Sequence, residues 1–414
     1  MKKGNFLGAV FVAAAVAAGP ALAADDVKVG AIYPLSGNAA VAGQSELDAI
    51  KLAVEMVNGN YPDLAALPSV GKGGLTNLGG AKIQLITADH QGKPEEANAQ
   101  TLRMITQEKV VAMIGSYHSN VSFTATAVAE RQGIPFVVGD SVAANILTRG
   151  FKWVVRVTPI ASDFAKNYME YLTDMKKAGR KVETIAVVNE NTDYGTSIGG
   201  TVVEQAKKYG FNVVAQIPYN ANTTDVSAQV LQLKEKNPDC IVFITYTADA
   251  ILYMKTLKSL GYQPPMIIAD DAGFADPAFI PAVGDISQGL MNRSAWAVGK
   301  PGSVSYRVNE LFKAKHNRDL DDTSARGLQA MLVLADAINR AGSTAPDKIM
   351  AALKATDLKQ DQVIMGYRGV KFDERGENSL AATYLVQLQG KEYVAVWPEN
   401  KALAPLQWPM KGWK

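Results

Sequence analysis

Cysteine is almost missing from this chain. Cys240 is the only one, so no internal disulfide can form, and hydrophobic packing alone has to hold the fold. Cys240 lies in the apolar run Cys240-Ile-Val-Phe-Ile-Thr245, where a buried, inert thiol is expected rather than a nucleophile. Histidine is scarce as well. His90, His118 and His316 stand far apart without the H-E-x-x-H spacing or cysteine partners of a zinc site, so no metal is expected. An excess of one charge is also absent. Lysine and arginine number 42 against 40 acidic residues, and two of the lysines fall in a segment that should be removed. A chain so balanced gives no general electrostatic reason to bind nucleic acid or an anionic membrane.

Motifs of chemistry are missing too. No G-x-G-x-x-G follows the first apolar run, and no G-x-x-x-x-G-K-[ST] or G-x-S-x-G occurs, so nucleotide binding and serine hydrolysis lack their usual signals. Asp319, Asp321 and Asp322 do not fit a calcium loop and read as a solvated turn. No cofactor is expected, and the chain does not read as an enzyme.

The first residues are a targeting signal. Lys2 and Lys3 precede the small apolar stretch Phe6–Ala18, Pro20 breaks it, and Ala21-Leu22-Ala23 offers a cleavage site. That is the layout of a secretory signal peptide over residues 1–23, with an apolar core too short to span a bilayer. No later run reaches the ~18 apolar residues of a membrane span. No cysteine follows the cleavage site, so lipid attachment there is excluded, and a free periplasmic protein is expected. What remains exceeds one hydrophobic core, so two domains are expected.

The body alternates short Val/Ile-rich runs with helical periodicity. Val27–Tyr33, Lys82–Ala88, Val110–Gly115 and Ile134–Val138 read as strands, with helices over Ala42–Asn58, Glu95–Gln107 and from after Ser119 to Arg131 between them. Gly- and Pro-rich residues 58–80 read as a surface excursion. After Trp153–Val157 the alternation restarts, with strands at 184–188, 212–217, 239–245 and 265–269 and helices between them. Helices are expected near 304–315 and 323–341, a strand pattern at Val363–Phe372, and a hairpin around Gly390-Lys391 within 381–397. Near-continuous apolar strands alternating with helices mean parallel sheets covered on both faces. The fold class is α/β, with two doubly wound, Rossmann-like lobes.

Ligands of open α/β sheets sit beyond the carboxyl ends of strands, and polar residues recur there. Ser119 follows the third strand, with Asn120 or Ser122 as the N-cap of the next helix. The unpaired N–H groups and dipole of that helix favour an anion such as a carboxylate. Taken alone, the stretch reads first as a capped helix. Its company changes that reading: Asp140 and Ser141 follow the fourth strand, Tyr194 the strand ending at Val188, Tyr246 follows Thr245, and Asp270-Asp271 follow Ala269. With parallel strands, all of these face one cleft. Donors, an acid and aromatic rings suit a zwitterion with an apolar side chain.

At these loops the sequence resembles the periplasmic solute-binding proteins of ABC importers for branched-chain and hydrophobic amino acids. The resemblance rests on Val29-Gly-Ala-Ile-Tyr-Pro-Leu-Ser-Gly37, Ile114-Gly-Ser-Tyr-His-Ser119, Ile134-Pro-Phe, Asn191-Thr-Asp-Tyr-Gly195, Asp239-Cys-Ile-Val-Phe and the helix 323–338, and it covers essentially the whole mature chain. It implies a type I binding protein with three hinge crossings. The first lobe would be 24–157 plus 297–365, and the second 158–296 plus 366–414. It also implies ligand contacts at Ser119, beside His118, and from the Asp140–Val142 loop, mainly through backbone groups and Ser141. The aromatic contacts fall on Tyr194 and Tyr246. The ammonium-binding acid falls on Asp271, or on Asp270 if the register shifts by one. The implied partners are a permease and ATPase in the inner membrane, and a monomer is expected. A ligand-sensing module for a chemoreceptor or kinase, or an importer of an amide or aromatic acid, are the alternatives. Three departures stand out. Ala42 occupies a position where branched-chain binders commonly place an aromatic, a disulfide seen in some members is missing, and the 59–80 excursion is long. Tyr117 and His118, beside Ser119, could also enlarge or repolarise the site.

Overall fold

The structure is a computed structural model that describes residues 1, 25–270 and 272–410. Apart from Met1, the expected signal peptide lies outside them, as does Asp271. The first half of the chain gives β1 (Val27–Tyr33), α1 (Ala40–Asn58), β2 (Ile83–Asp89), α2 (Pro94–Thr106), β3 (Ala112–Gly115), α3 (Ser119–Gln132), β4 (Phe136–Val138) and β5 (Val154–Arg156). These strands form one parallel sheet in the order β2-β1-β3-β4-β5. Alternate residues face opposite ways and both faces are covered. Val29, Ala31 and Ile114 join one core, and Ile32, Met113 and Phe136 another.

The second lobe starts at α4 (Ala161–Lys177) and continues through β6 (Thr184–Glu190), α5 (Asp193–Lys208), β7 (Asn212–Tyr219), α6 (Ser227–Lys236), β8 (Cys240–Ile244), α7 (Thr247–Ser259) and β9 (Ile267–Ala269). Two short helices, α8 (Ala272–Ala275) and α9 (Phe279–Val283), lead to β10 (Met291–Ser294). The chain then returns to the first lobe with α10 (Val304–His316), α11 (Asp322–Ala341), α12 (Pro346–Lys354), β11 (Asp357–Lys359) and β12 (Gly369–Lys371). It crosses a third time into β13 (Tyr384–Gln389) and β14 (Glu392–Trp397). The second sheet runs β14-β13-β10-β9-β8-β6-β7, parallel except that β13 is antiparallel to β10 and β14. Two doubly wound lobes joined by three crossings are therefore observed as expected. The turn at Gly390-Lys391 closes the hairpin where the sequence placed it.

Several local expectations change. The 58–80 segment is not a simple surface excursion: Leu64, Leu67, Val70 and Leu75 are buried in the first-lobe core. Of Val363–Phe372, only Gly369–Lys371 forms a strand, paired with Asp357–Lys359. The backbone at Ile364 and Gly366 instead donates to Gln329 Oε1 (2.8 Å) and to the hinge carbonyl of Ala295 (2.7 Å). Asp321 and Asp322 are no solvated turn. They open α11, where Asp321 caps the helix and Asp322 is buried.

Candidate functional site

β3 stops at Gly115, where an added Cβ would lie 2.6 Å from the carbonyl of Ile32, so only glycine lets the two strands approach this closely. The chain then turns through Tyr117, whose φ of 78° is rare for a bulky side chain, and enters α3 at Ser119. Neither Asn120 nor Ser122 caps α3. His118 holds the N-cap position, and no side chain caps the helix. Ser122 instead ties two loops together, accepting from the Ser116 N–H (3.2 Å) and pairing with the Ser116 (2.8 Å) and Ser141 (2.6 Å) hydroxyls. Ser141 also donates to the Tyr117 carbonyl at 3.0 Å. Ser119 is buried, and its hydroxyl is at 3.4 Å from the Ala143 N–H. The loops after β3 and β4 are thus one hydrogen-bonded unit, with the first turn of α3 at its centre.

From the second lobe, Tyr194 lies in the first turn of α5, Tyr246 holds the N-cap position of α7, and Asp270 directly follows β9. Tyr117, Ser119, Asp140, Ser141, Tyr194 and Tyr246 line a single cavity between the lobes, together with Val142, Ala272, Arg293 and Arg326. At about 10 Å³ it offers scarcely the space of one water, so the lobes are shut on each other. Val142, from the first lobe, packs within a second-lobe core. His118 lies outside this cavity. It lines the mouth above, a space of about 250 Å³ that it shares with Pro34, Asn38, Gln91, Asn222 and Tyr246. Asp270 is buried and committed within the lobes: Tyr168 and Tyr194 donate to its carboxylate, and Arg293 pairs with it at 3.2 Å.

Sequence reasoning missed the two arginines. Arg293 stacks on Phe164 at 3.6 Å and faces Asp322 at 3.8 Å, while Arg326 pairs with Asp140 at 2.7 Å and Asp322 at 3.0 Å. Both are essentially fully buried. Burial pushes Asp140 up to about 6, against the pull of Arg326 and Arg293. A guanidinium inside α11, whose other residues are buried from Asp322 to Asn339, was a signal available in the sequence, since a buried charge demands a partner. Arg293 gave none, because β10 reads Met-Asn-Arg-Ser and lacks any apolar period. At the mouth, burial lowers His118 to about 3, helped by His90, and lowers His90 to about 4. No cluster among the described residues could hold a metal ion, and no described helix is long and apolar enough to cross a membrane.

The cleft arrangement has close counterparts. Residues 26–392 match the profile of a family described as "Periplasmic binding protein". Leu/Ile/Val-binding protein homolog 8 of Brucella abortus is 30% identical over 397 residues, covering 92% of this chain and 93% of its own. Homolog 7 of the same organism is 30% identical over 411 residues, covering 96% and 97%. Among solved structures, the leucine binding protein LivK of Thermotoga maritima superposes with a TM-score of 0.75 at 24% identity over 89% of this chain and 97% of its own. A solute binding protein of R. palustris in complex with benzoate gives 0.74 at 18% identity over 94% and 98%. With its two lobes, three crossings and shut cleft, the chain belongs to the periplasmic binding protein family.

Proposed function

We propose that this protein is the periplasmic substrate-binding component of an ABC importer. It captures a small amino acid or related carboxylate between its lobes and delivers it to a permease–ATPase complex in the inner membrane. No bond is made or broken. The observation that carries this reading is the uncapped N-terminus of α3 inside the shut cleft. Ser119, the first-turn N–H groups and the Val142 backbone supply donors for a carboxylate. Asp271 takes the ammonium group. Asp270 supports the wall through Arg293 and Tyr194. Tyr194 and Tyr246 pack on the side chain from the second lobe. Ligand bridging both lobes stabilises the closed form by its differential affinity, and a micromolar dissociation constant corresponds to ~8 kcal/mol.

The protein is free in the periplasm, monomeric, and trimmed after Ala23. We also put the lobe boundary beyond Phe372 and not at 365, a reading supported by Tyr367, Val370 and Phe372 in the first-lobe core. A second reading, import of an aromatic acid, is favoured by the benzoate complex of the R. palustris neighbour. A thermal-shift screen across amino acids, amides and aromatic acids tests both, since a ligand that binds only the folded state raises its melting temperature. A shift with amino acids supports the first reading. A shift with aromatic acids but not amino acids removes the role given to Asp271.

A further inference from the structure

Tyr117 is absent from the set of contacts carried over by family resemblance, yet three observations single it out. It is 3% exposed and its hydroxyl has no hydrogen-bond partner among the described residues. A buried polar group left unpaired is costly and calls for an explanation. Its backbone is held at a φ of 78°, a strained conformation that persists only where the surroundings enforce it. Here the Ser141 hydroxyl grips the Tyr117 carbonyl at 3.0 Å. Third, its ring lines the shut cavity opposite Tyr246 of the other lobe, with centroids 5.7 Å apart and planes tilted by 45°. Tyr194 extends the stack from Tyr246 at 5.0 Å, and His118 closes its outer end at 4.9 Å from Tyr117. Among the described residues, the aliphatic lining of the cavity is Val142 and Ala272.

Resting on the cleft-binding reading above, we propose that Tyr117 is a specificity-determining ligand contact. It selects an amino-acid-like carboxylate whose side chain is a flat ring bearing a hydrogen-bond acceptor. A ring packed on the face of Tyr246 meets Tyr117 edge-on, and a small further opening of the cleft makes room for it. The phenol then donates to the acceptor on the ligand. A purely aliphatic side chain would leave the phenol unpaired. Sites built to hydrogen-bond a ligand hydroxyl discriminate strongly against analogues that lack it.

The test is calorimetric titration of the full mature protein with leucine, phenylalanine and tyrosine, and with benzoate and 4-hydroxybenzoate. The expected result is that the hydroxylated member of a ring pair binds about 10- to 100-fold more tightly than its partner, with leucine weaker than either ring amino acid. Tyr117→Phe, which keeps the ring and the packing, should erase the hydroxyl preference, bringing the two members of each ring pair to within about 3-fold of each other. If leucine binds more tightly than phenylalanine and tyrosine, the inference on Tyr117 fails and the importer reading stands. An unchanged hydroxyl preference in Tyr117→Phe overturns the inference as well. If no compound in the set binds, both fail.

Discussion

A carboxylate in the first turn of a helix is favoured by the helix dipole, yet the oxygens of Asp322 serve the hinge. One accepts from Ser294 Oγ (2.8 Å) and the Ala295 N–H (2.6 Å), and the other faces Arg326 at 3.0 Å and Arg293 at 3.8 Å. Removing one member of a buried ion network leaves charges stranded, which costs about 3–5 kcal/mol. Asp322→Ala should therefore lower the unfolding free energy from urea denaturation by that amount. Asp322→Asn, which keeps an acceptor for Ala295, should lose less. An unfolding free energy within 1 kcal/mol of wild type in the alanine variant would show that the hinge does not depend on this carboxylate. His90 offers a second residue-scale prediction. Its Nε2 lies 2.9 Å from the Ser116 carbonyl and its Nδ1 accepts from Gly92 at 3.0 Å, an arrangement that needs the neutral ring. Burial lowers it to about 4 from an ordinary value near 6.5, so the unfolded chain binds the proton first. Its contribution is complete above pH ~6.5 and is lost as pH falls towards 4, at up to about 1.4 kcal/mol per pH unit. Asp140, raised to about 6, works in the opposite sense, so the slope of His90→Asn against wild type is the measurement. Equal slopes between pH 6.5 and 4 would remove His90 from the acid response.

Among the elements, the central parallel strands were legible because both of their faces are buried. A strand buried on both faces must be apolar throughout, and such runs stand out between helices. β10 was not legible, since only Met291 joins a core and the polar residues after it tie the hinge to the site. Capping misled for a related reason. Asn120 and Ser122 are good capping residues by type, but tertiary hydrogen bonds drew Ser122 towards Ser116 and Ser141 and left α3 open. The candidate site was readable where residues sit at strand ends, as with Ser119, Ser141, Tyr194 and Tyr246. It was hidden where the cavity wall is built from buried ion pairs, as with Arg293 and Arg326. α11 shows the opposite arrangement to α3. Asp321 Oδ1 accepts from the Ser324 N–H (2.8 Å), Ser324 Oγ accepts in return from the Asp321 N–H (3.0 Å), and Ser45 donates to Asp321 Oδ2 (2.6 Å). Because this cap orients the turn that carries Asp322 and Arg326, Asp321→Ala should cost about 1–2 kcal/mol in chemical denaturation. A loss below 0.5 kcal/mol would mean that packing alone sets the start of α11.

For the whole molecule, closure is a competition between lobe–lobe contacts and the solvation they displace, and this structure shows which contacts compete. At the exposed rim of the mouth, Asn38 Nδ2 donates to Asn222 Oδ1 at 2.7 Å across the cleft, and the Ala144 N–H donates to Ser197 Oγ at 3.2 Å. Neither asparagine lines the inner cavity, so the pair bears on closure without shaping the chamber beneath. One neutral hydrogen bond contributes about 0.5–1.5 kcal/mol net. Losing it shifts the open–closed equilibrium by roughly 2- to 10-fold, and apparent affinity falls with the population of the competent state. Asn38→Ala and Asn222→Ala should each weaken binding by that factor, and should weaken leucine, phenylalanine and tyrosine alike. The double variant should be no worse than the worse single one, since the two changes remove the same contact. Additive losses, or a loss confined to one ligand, would mean that these residues act on the ligand and not on the lobes.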